Sequence, residues 1–146
     1  MHYRTDTFEA KDGEVICYYK WEALSTKKHR GIVQIAHGIG EHAGRYDSIA
    51  YRLQQEGFTV YANDHRAHGK TAEIKRLFGF YDGTDYFEDV VEDMYSLTEL
   101  MRTEHPNTKF ILFGHSMGSL LSRKYVLKHG KEIDALILSG TADFIN

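Results

Sequence analysis

Apolar positions along the chain fall into two kinds of run that alternate. Residues 31–36, 58–62, 109–113 and 134–139 are short and nearly continuous in apolar side chains, the pattern of strands buried in a parallel sheet. Between them the spacing changes to three and four. Tyr46, Ile49, Ala50 and Leu53 make one helical stripe, which Gly57 ends. Phe87, Val90, Val91, Met94, Leu97 and Met101 make a longer one, with Glu88, Asp89, Glu92 and Asp93 expected on its wet face and Pro106 as its stop. Leu120, Leu121 and Tyr125 share a face of a third helix within residues 119–128. Ahead of all these, residues 3–9 and 15–21 read as an antiparallel hairpin turned at Lys11-Asp12-Gly13. Strand and helix in alternation predict an α/β fold with a mostly parallel sheet and flanking helices.

The junction between the third of those strands and the third helix carries the chemistry. Gly114-His115-Ser116-Met117-Gly118 stands between an apolar strand and a helix. In that context Gly-x-Ser-x-Gly becomes a nucleophile elbow: the turn strains the serine backbone, and the glycines prevent a clash between strand and helix. The helix N-terminus then lies beneath Ser116, where it favours developing negative charge. A second segment supports this. The strand at 31–36 runs into His37-Gly38-Ile39-Gly40-Glu41-His42-Ala43-Gly44-Arg45-Tyr46. A tetrahedral oxyanion needs two backbone N–H donors, one from the residue after the nucleophile, here Met117, and one from an earlier His-Gly loop, here Ile39.

These blocks, with Asn63-Asp64-His65-Arg66-Ala67-His68-Gly69 between them, resemble the monoacylglycerol lipase and lysophospholipase group of α/β-hydrolases, often labelled serine aminopeptidase-like. The likeness covers about residues 30–140, with Ala67 where the family usually has Gly and Thr71 where Ser is commoner. It implies a serine esterase acting on monoacylglycerols or lysophospholipids, with Ser116 as nucleophile, Ile39 and Met117 as oxyanion donors, and His37, Gly38, Gly40, His42, Gly114, His115 and Gly118 as the supporting motif. It also places the triad acid after the next strand and the triad His after the last. Only residues 140–146 follow the strand at 134–139, whereas a parallel crossover needs about a dozen residues. The 146 residues therefore read as the N-terminal part of one α/β-hydrolase domain, stopping after about the sixth strand, without lid, acid or base. Such a chain is expected to hydrolyse esters slowly at best, to resist fluorophosphonate labelling, and to self-associate through an open sheet edge.

Composition narrows the remaining choices. A net charge of −3, with no run of Lys and Arg beyond the loop Lys27-Lys28-His29-Arg30, gives no sign of nucleic-acid binding. No stretch approaches a membrane span, and the N-terminus lacks a signal-like apolar segment. One cysteine, Cys17, leaves no disulfide framework, so a cytoplasmic protein is expected. Of the nine histidines, His37, His42, His65, His68 and His115 follow strand ends, where α/β sheets bind ligands. They lack a metal-binding spacing, so no metal is expected and they read as braces for the oxyanion loop, with His65 or His68 the first candidates should a local base exist. No cofactor is expected. Gly69-Lys70-Thr71 lacks the earlier glycine of a phosphate loop. Gly38-x-Gly40-x-x-Ala43 with Asp64 does match a dinucleotide fingerprint, which keeps a Rossmann-type domain as the rival, beside a non-catalytic hydrolase-like fragment.

Overall fold

In a computed structural model, described here for residues 2–143, six strands form one sheet in the order β1-β2-β4-β3-β5-β6. The strands are β1 (Arg4–Glu9), β2 (Val15–Trp21), β3 (Gly31–Ala36), β4 (Phe58–Asn63), β5 (Phe110–His115) and β6 (Ala135–Ser139). β1 and β2 make the expected hairpin, and β2 runs antiparallel to β4. From β4 through β3 and β5 to β6 every pairing is parallel. The helices are α1 (Asp47–Gln55), α2 (Gly69–Lys75), α3 (Tyr86–Glu104) and α4 (Met117–His129).

The central strands are apolar on both sides because both faces are covered. On one face Ile32, Tyr61, Phe110 and Leu112 pack with Met94, Leu97 and Met101 of α3 and with Leu121 and Tyr125 of α4. On the other, Val33, Ile35, Val60 and Ala62 pack with Ala50 of α1 and with Tyr19 and Trp21 of β2. Asp85 caps α3 by accepting a bond from the Glu88 N–H at 3.0 Å.

Three details correct the sequence reading. Ile49, assigned to the buried stripe of α1, is exposed; Ala50 is the buried residue of that helix, with Leu53 packed at the margin. Asp93, assigned to the wet face of α3, is buried, and its carboxylate holds the Arg66 side chain at 2.7 and 2.8 Å. Arg66 reaches on to Asp12 at 2.6 and 2.9 Å, so this ion pair ties the hairpin turn, the loop after β4 and α3 together. Helical periodicity places Asp93 next to the apolar face, and a cation more than twenty positions away in the sequence pulled it inside. Helix α2 has no counterpart in the sequence reading. It is one short helix with only Thr71 and Ala72 buried, too little for an apolar stripe.

Candidate active site

Ser116 lies between β5 and α4 with φ 53° and ψ −121°, a conformation a non-glycine residue adopts only when its surroundings impose it. The surroundings here are two close approaches of backbone. A Cβ at Gly118 would overlap the Ala36 carbonyl at the end of β3, and one at Gly114 would overlap Gly118 O and Ser122 Oγ. Glycine at both positions lets α4 start directly against the strand ends, and Ser116 absorbs the turn. Its N–H is held by Ser139 O on β6 at 2.9 Å. Ser116 occupies the N-cap position of α4, where a serine hydroxyl ordinarily bonds the first turn, yet it makes no capping bond. Ser119 Oγ instead donates to Ser116 O at 2.6 Å. Among the described residues, Ser116 Oγ has no hydrogen-bond partner. His115 turns aside, its Nδ1 3.0 Å from Ser139 Oγ.

The loop after β3 approaches from the other side: a Cβ at Gly38 would stand 3.2 Å from Ser116 Cβ. Two side chains fix this loop. Glu41 Oε2 accepts the Gly38 N–H at 2.8 Å and the Tyr46 hydroxyl at 3.0 Å. His37, fully buried, accepts the His65 N–H on Nε2 at 3.0 Å, so its proton is on Nδ1, which donates to Gly38 O at 2.7 Å. Holding Gly38 O on one side of its peptide plane aims the Ile39 N–H to the other. That N–H has no acceptor among the described residues, and the Met117 N–H belongs to the first turn of α4, which lacks intrahelical acceptors. The Met117 N–H directly follows the serine in the chain, and Ile39 and Met117 line one groove. Gly40, with φ 73°, supplies the left-handed step that turns the chain away from the site.

His65 closes the network by donating from Nε2 to His37 O at 3.1 Å. Burial lowers the pKa of His37 from 6.5 to about 4 and holds that of His65 well below the ordinary value, so both rings are neutral at neutral pH. With both His65 nitrogens facing protein groups, His65 cannot serve as the local base that the sequence reading offered as a candidate. His68, the other candidate, has its Nδ1 bonded to Arg66 O at 3.0 Å and touched by the Tyr86 hydroxyl. Neither His65 nor His68 has a hydrogen bond to Ser116. His42 is exposed and precedes the 3₁₀ turn (Ala43–Tyr46) that leads into α1. Among the described residues no three His, Cys, Asp or Glu side chains are grouped as a metal site would require.

Sequence reasoning undervalued Asp64, which anchors the far end of the loop. Fully buried, it accepts the Ala43 N–H at 2.7 Å, the Lys70 N–H at 2.7 Å and the Tyr19 hydroxyl at 3.2 Å. Burial raises its pKa, against the lowering by these donors. An acid placed directly after an apolar strand is the signal that could have marked it.

A groove of about 660 Å³ opens beside the two amide groups, lined by Ile39, His68, Phe78, Tyr86, Phe87 and Met117 among others. The sheet order and the strained serine between β5 and α4 define the molecule as an α/β-hydrolase. The chain belongs to the family described as "Serine aminopeptidase, S33", whose model matches residues 27–146. It is 40% identical over 136 residues to a monoacylglycerol lipase of Mycolicibacterium smegmatis, covering 93% of this chain and 46% of that protein. It is 32% identical to the monoglyceride lipase of Mus musculus over 76% of this chain and 34% of that protein. Among solved structures, a thermostable carboxyl esterase from Bacillus coagulans in complex with glycerol superposes with a TM-score of 0.89 at 34% identity, covering 97% of this chain and 45% of that one. The chain thus spans less than half the length of each of these relatives.

Proposed function

We propose that Ser116 is the nucleophile of a carboxylic ester hydrolase acting on monoacylglycerol or lysophospholipid esters. The observation that carries this reading is the backbone of Ser116, forced to φ 53° with its hydroxyl left out of the helix cap. In the reaction, Ser116 Oγ gives its proton to the general base proposed below to stand outside the 146 residues and bonds to the ester carbonyl carbon. The carbonyl oxygen takes the negative charge and is held by the Ile39 and Met117 N–H groups. Collapse of this adduct breaks the bond to the alcohol oxygen, which leaves with a proton, and water then releases the acyl group as a carboxylic acid.

The names of the relatives and their degree of identity support the substrate class. The acid and base of a triad are proposed to stand outside the 146 residues, which we read as the N-terminal portion of one hydrolase domain. The lack of any partner for Ser116 Oγ among the described residues supports this. The chain by itself is therefore a poor catalyst, since triad members act as a unit. No described helix is long and apolar enough to cross a membrane. Cys17 is buried and its thiol is pushed up to about 11 by burial, an inert state that fits the cytoplasmic placement proposed here.

The dinucleotide reading fails on the same loop. A pyrophosphate needs the Gly38 amide that Glu41 already occupies, and the Glu41 carboxylate would repel it. Turnover of p-nitrophenyl butyrate tests the proposal. The chain should give a weak rate above buffer that Ser116→Ala removes; a rate unchanged by Ser116→Ala overturns the assignment.

A further inference from the structure

We propose that Arg66 and Asp93 are positioning residues for the oxyanion site: their ion pair fixes the loop after β4 on α3, and that loop in turn aims the Ile39 N–H. This rests on the hydrolase reading above, which gives the alignment of that amide its purpose. The starting observation is a polar stripe on an otherwise core-facing helix. Tyr86, Asp89 and Asp93 stand at positions i, i+3 and i+7 of α3, so they share one face over about 10.5 Å of its length. Arg66 lies along this stripe. Its Nε and Nη2 donate to the two Asp93 oxygens at 2.7 and 2.8 Å, and its Nη1 stands 3.9 Å from Asp89 Oδ2. The Tyr86 hydroxyl donates to Arg66 O at 2.8 Å. Residue 66 is thus tied to one helix by both its side chain and its backbone. That helix is a firm reference, because Val90, Met94, Leu97 and Met101 are buried in the core.

From Arg66 the constraint reaches the site through its neighbour. The His65 N–H donates to His37 Nε2 at 3.0 Å, and His65 Nε2 donates to His37 O at 3.1 Å. With two bonds between them, the loops after β3 and β4 cannot slide past each other without breaking one. His37 Nδ1 then holds Gly38 O at 2.7 Å, and the plane of that peptide sets the direction of the Ile39 N–H.

Stability is a poor account of the pair. Asp93 is 1% exposed, and an ion pair buried so deeply commonly stabilises a fold no more than apolar side chains of similar volume. What apolar side chains lack is direction. A guanidinium fork meets a carboxylate in one plane and one orientation, so Arg66 is fixed in angle as well as in place.

The test separates direction from stability with the double variant Arg66→Met/Asp93→Leu, which replaces the ion pair by apolar side chains. Its urea midpoint, followed by emission of the buried Trp21, should match or exceed that of the wild-type chain. Two other readouts should nevertheless change. Labelling of Ser116 by an alkyl fluorophosphonate, measured over a range of probe concentrations, should show kinact lowered about tenfold or more with KI unchanged, because a misaligned oxyanion donor loses part of its effect. The ring N–H protons of His37 and His65, both fully buried, should be seen by nitrogen-15 NMR in the wild-type chain and shift or broaden in the variant. Lys128→Met, which removes the ion pairs of α4 with Glu88 and Glu92 on α3 away from the loop, should alter neither. Unchanged ring N–H signals, or an unchanged kinact, in a folded double variant overturns the proposal. Should that variant not fold, Arg66→Lys, which keeps the charge without the fork, is judged by the same two readouts and the same outcomes. The NMR signals do not depend on Ser116 chemistry. A wild-type chain that never labels at Ser116 would therefore sink the hydrolase reading, while the ring N–H signals still decide whether the pair positions the loop.

Discussion

Ala67 and His37 show how single residues near the serine are strained or buried for the sake of the loop. Ala67 has φ 70°, a left-handed conformation, at the position where the resembled family usually carries glycine. A side chain there costs about 1–2 kcal/mol, partly offset because alanine is less flexible when unfolded. Ala67→Gly is therefore expected to raise stability by about 0.5–1 kcal/mol, read from urea unfolding followed by the single tryptophan, Trp21. A lower midpoint would show that the conformation is not strained. His37 makes a pH prediction. Its folded pKa, about 4, lies below the ordinary 6.5, so between these values the unfolded chain binds the proton and the folded one does not. Stability from this group is unchanged above pH 6.5 and falls as pH drops toward 4, by up to about 3 kcal/mol. Asp93, raised to about 6 by burial, acts in the opposite direction within the same window. The expectation is therefore a difference: the stability gap between the wild-type chain and His37→Asn narrows from pH 7 to pH 4.5. A constant gap contradicts the buried, neutral His37.

At the scale of elements, the strands and the long helices were legible because each has a period that its burial requires. β3, β4 and β5 are mostly apolar and covered on both faces, and α3 carries its stripe from Phe87 to Met101, about four turns. The elbow was legible for a different reason: its glycines are demanded by backbone contacts with Ala36 and Gly118, which no other residue tolerates. What escaped depends on distant partners. α2 is held by Asp64, which accepts the Lys70 N–H, while Thr71 Oγ1 donates to Asp64 O at 2.8 Å and accepts the Cys17 N–H at 3.0 Å. None of those bonds leaves a periodic trace. Asp93 escaped because its partner, Arg66, lies in a loop. Of the proposed site, Ser116, Ile39 and Met117 were candidates from motifs alone, but the tautomers of His37 and His65, and so their unfitness as bases, follow only from their mutual hydrogen bonds.

For the whole molecule, β6 is the edge of the sheet among the described residues, and Ile137 and Leu138 on it are exposed. An apolar parallel edge is a template for pairing, so the chain is expected to elute as an oligomer, with Ile137→Lys shifting it toward the monomer. A monomeric wild-type chain would contradict that expectation. The central proposal is that Ser116 is the nucleophile and has no base beside it among the described residues. Mass-spectrometric mapping of the chain after timed exposure to an alkyl fluorophosphonate tests both halves together. The predicted result is a single adduct on Ser116, absent in Ser116→Ala and formed about a thousandfold or more slowly than on the mycobacterial monoacylglycerol lipase. An adduct on another residue, or labelling of Ser116 as fast as in that lipase, would contradict it.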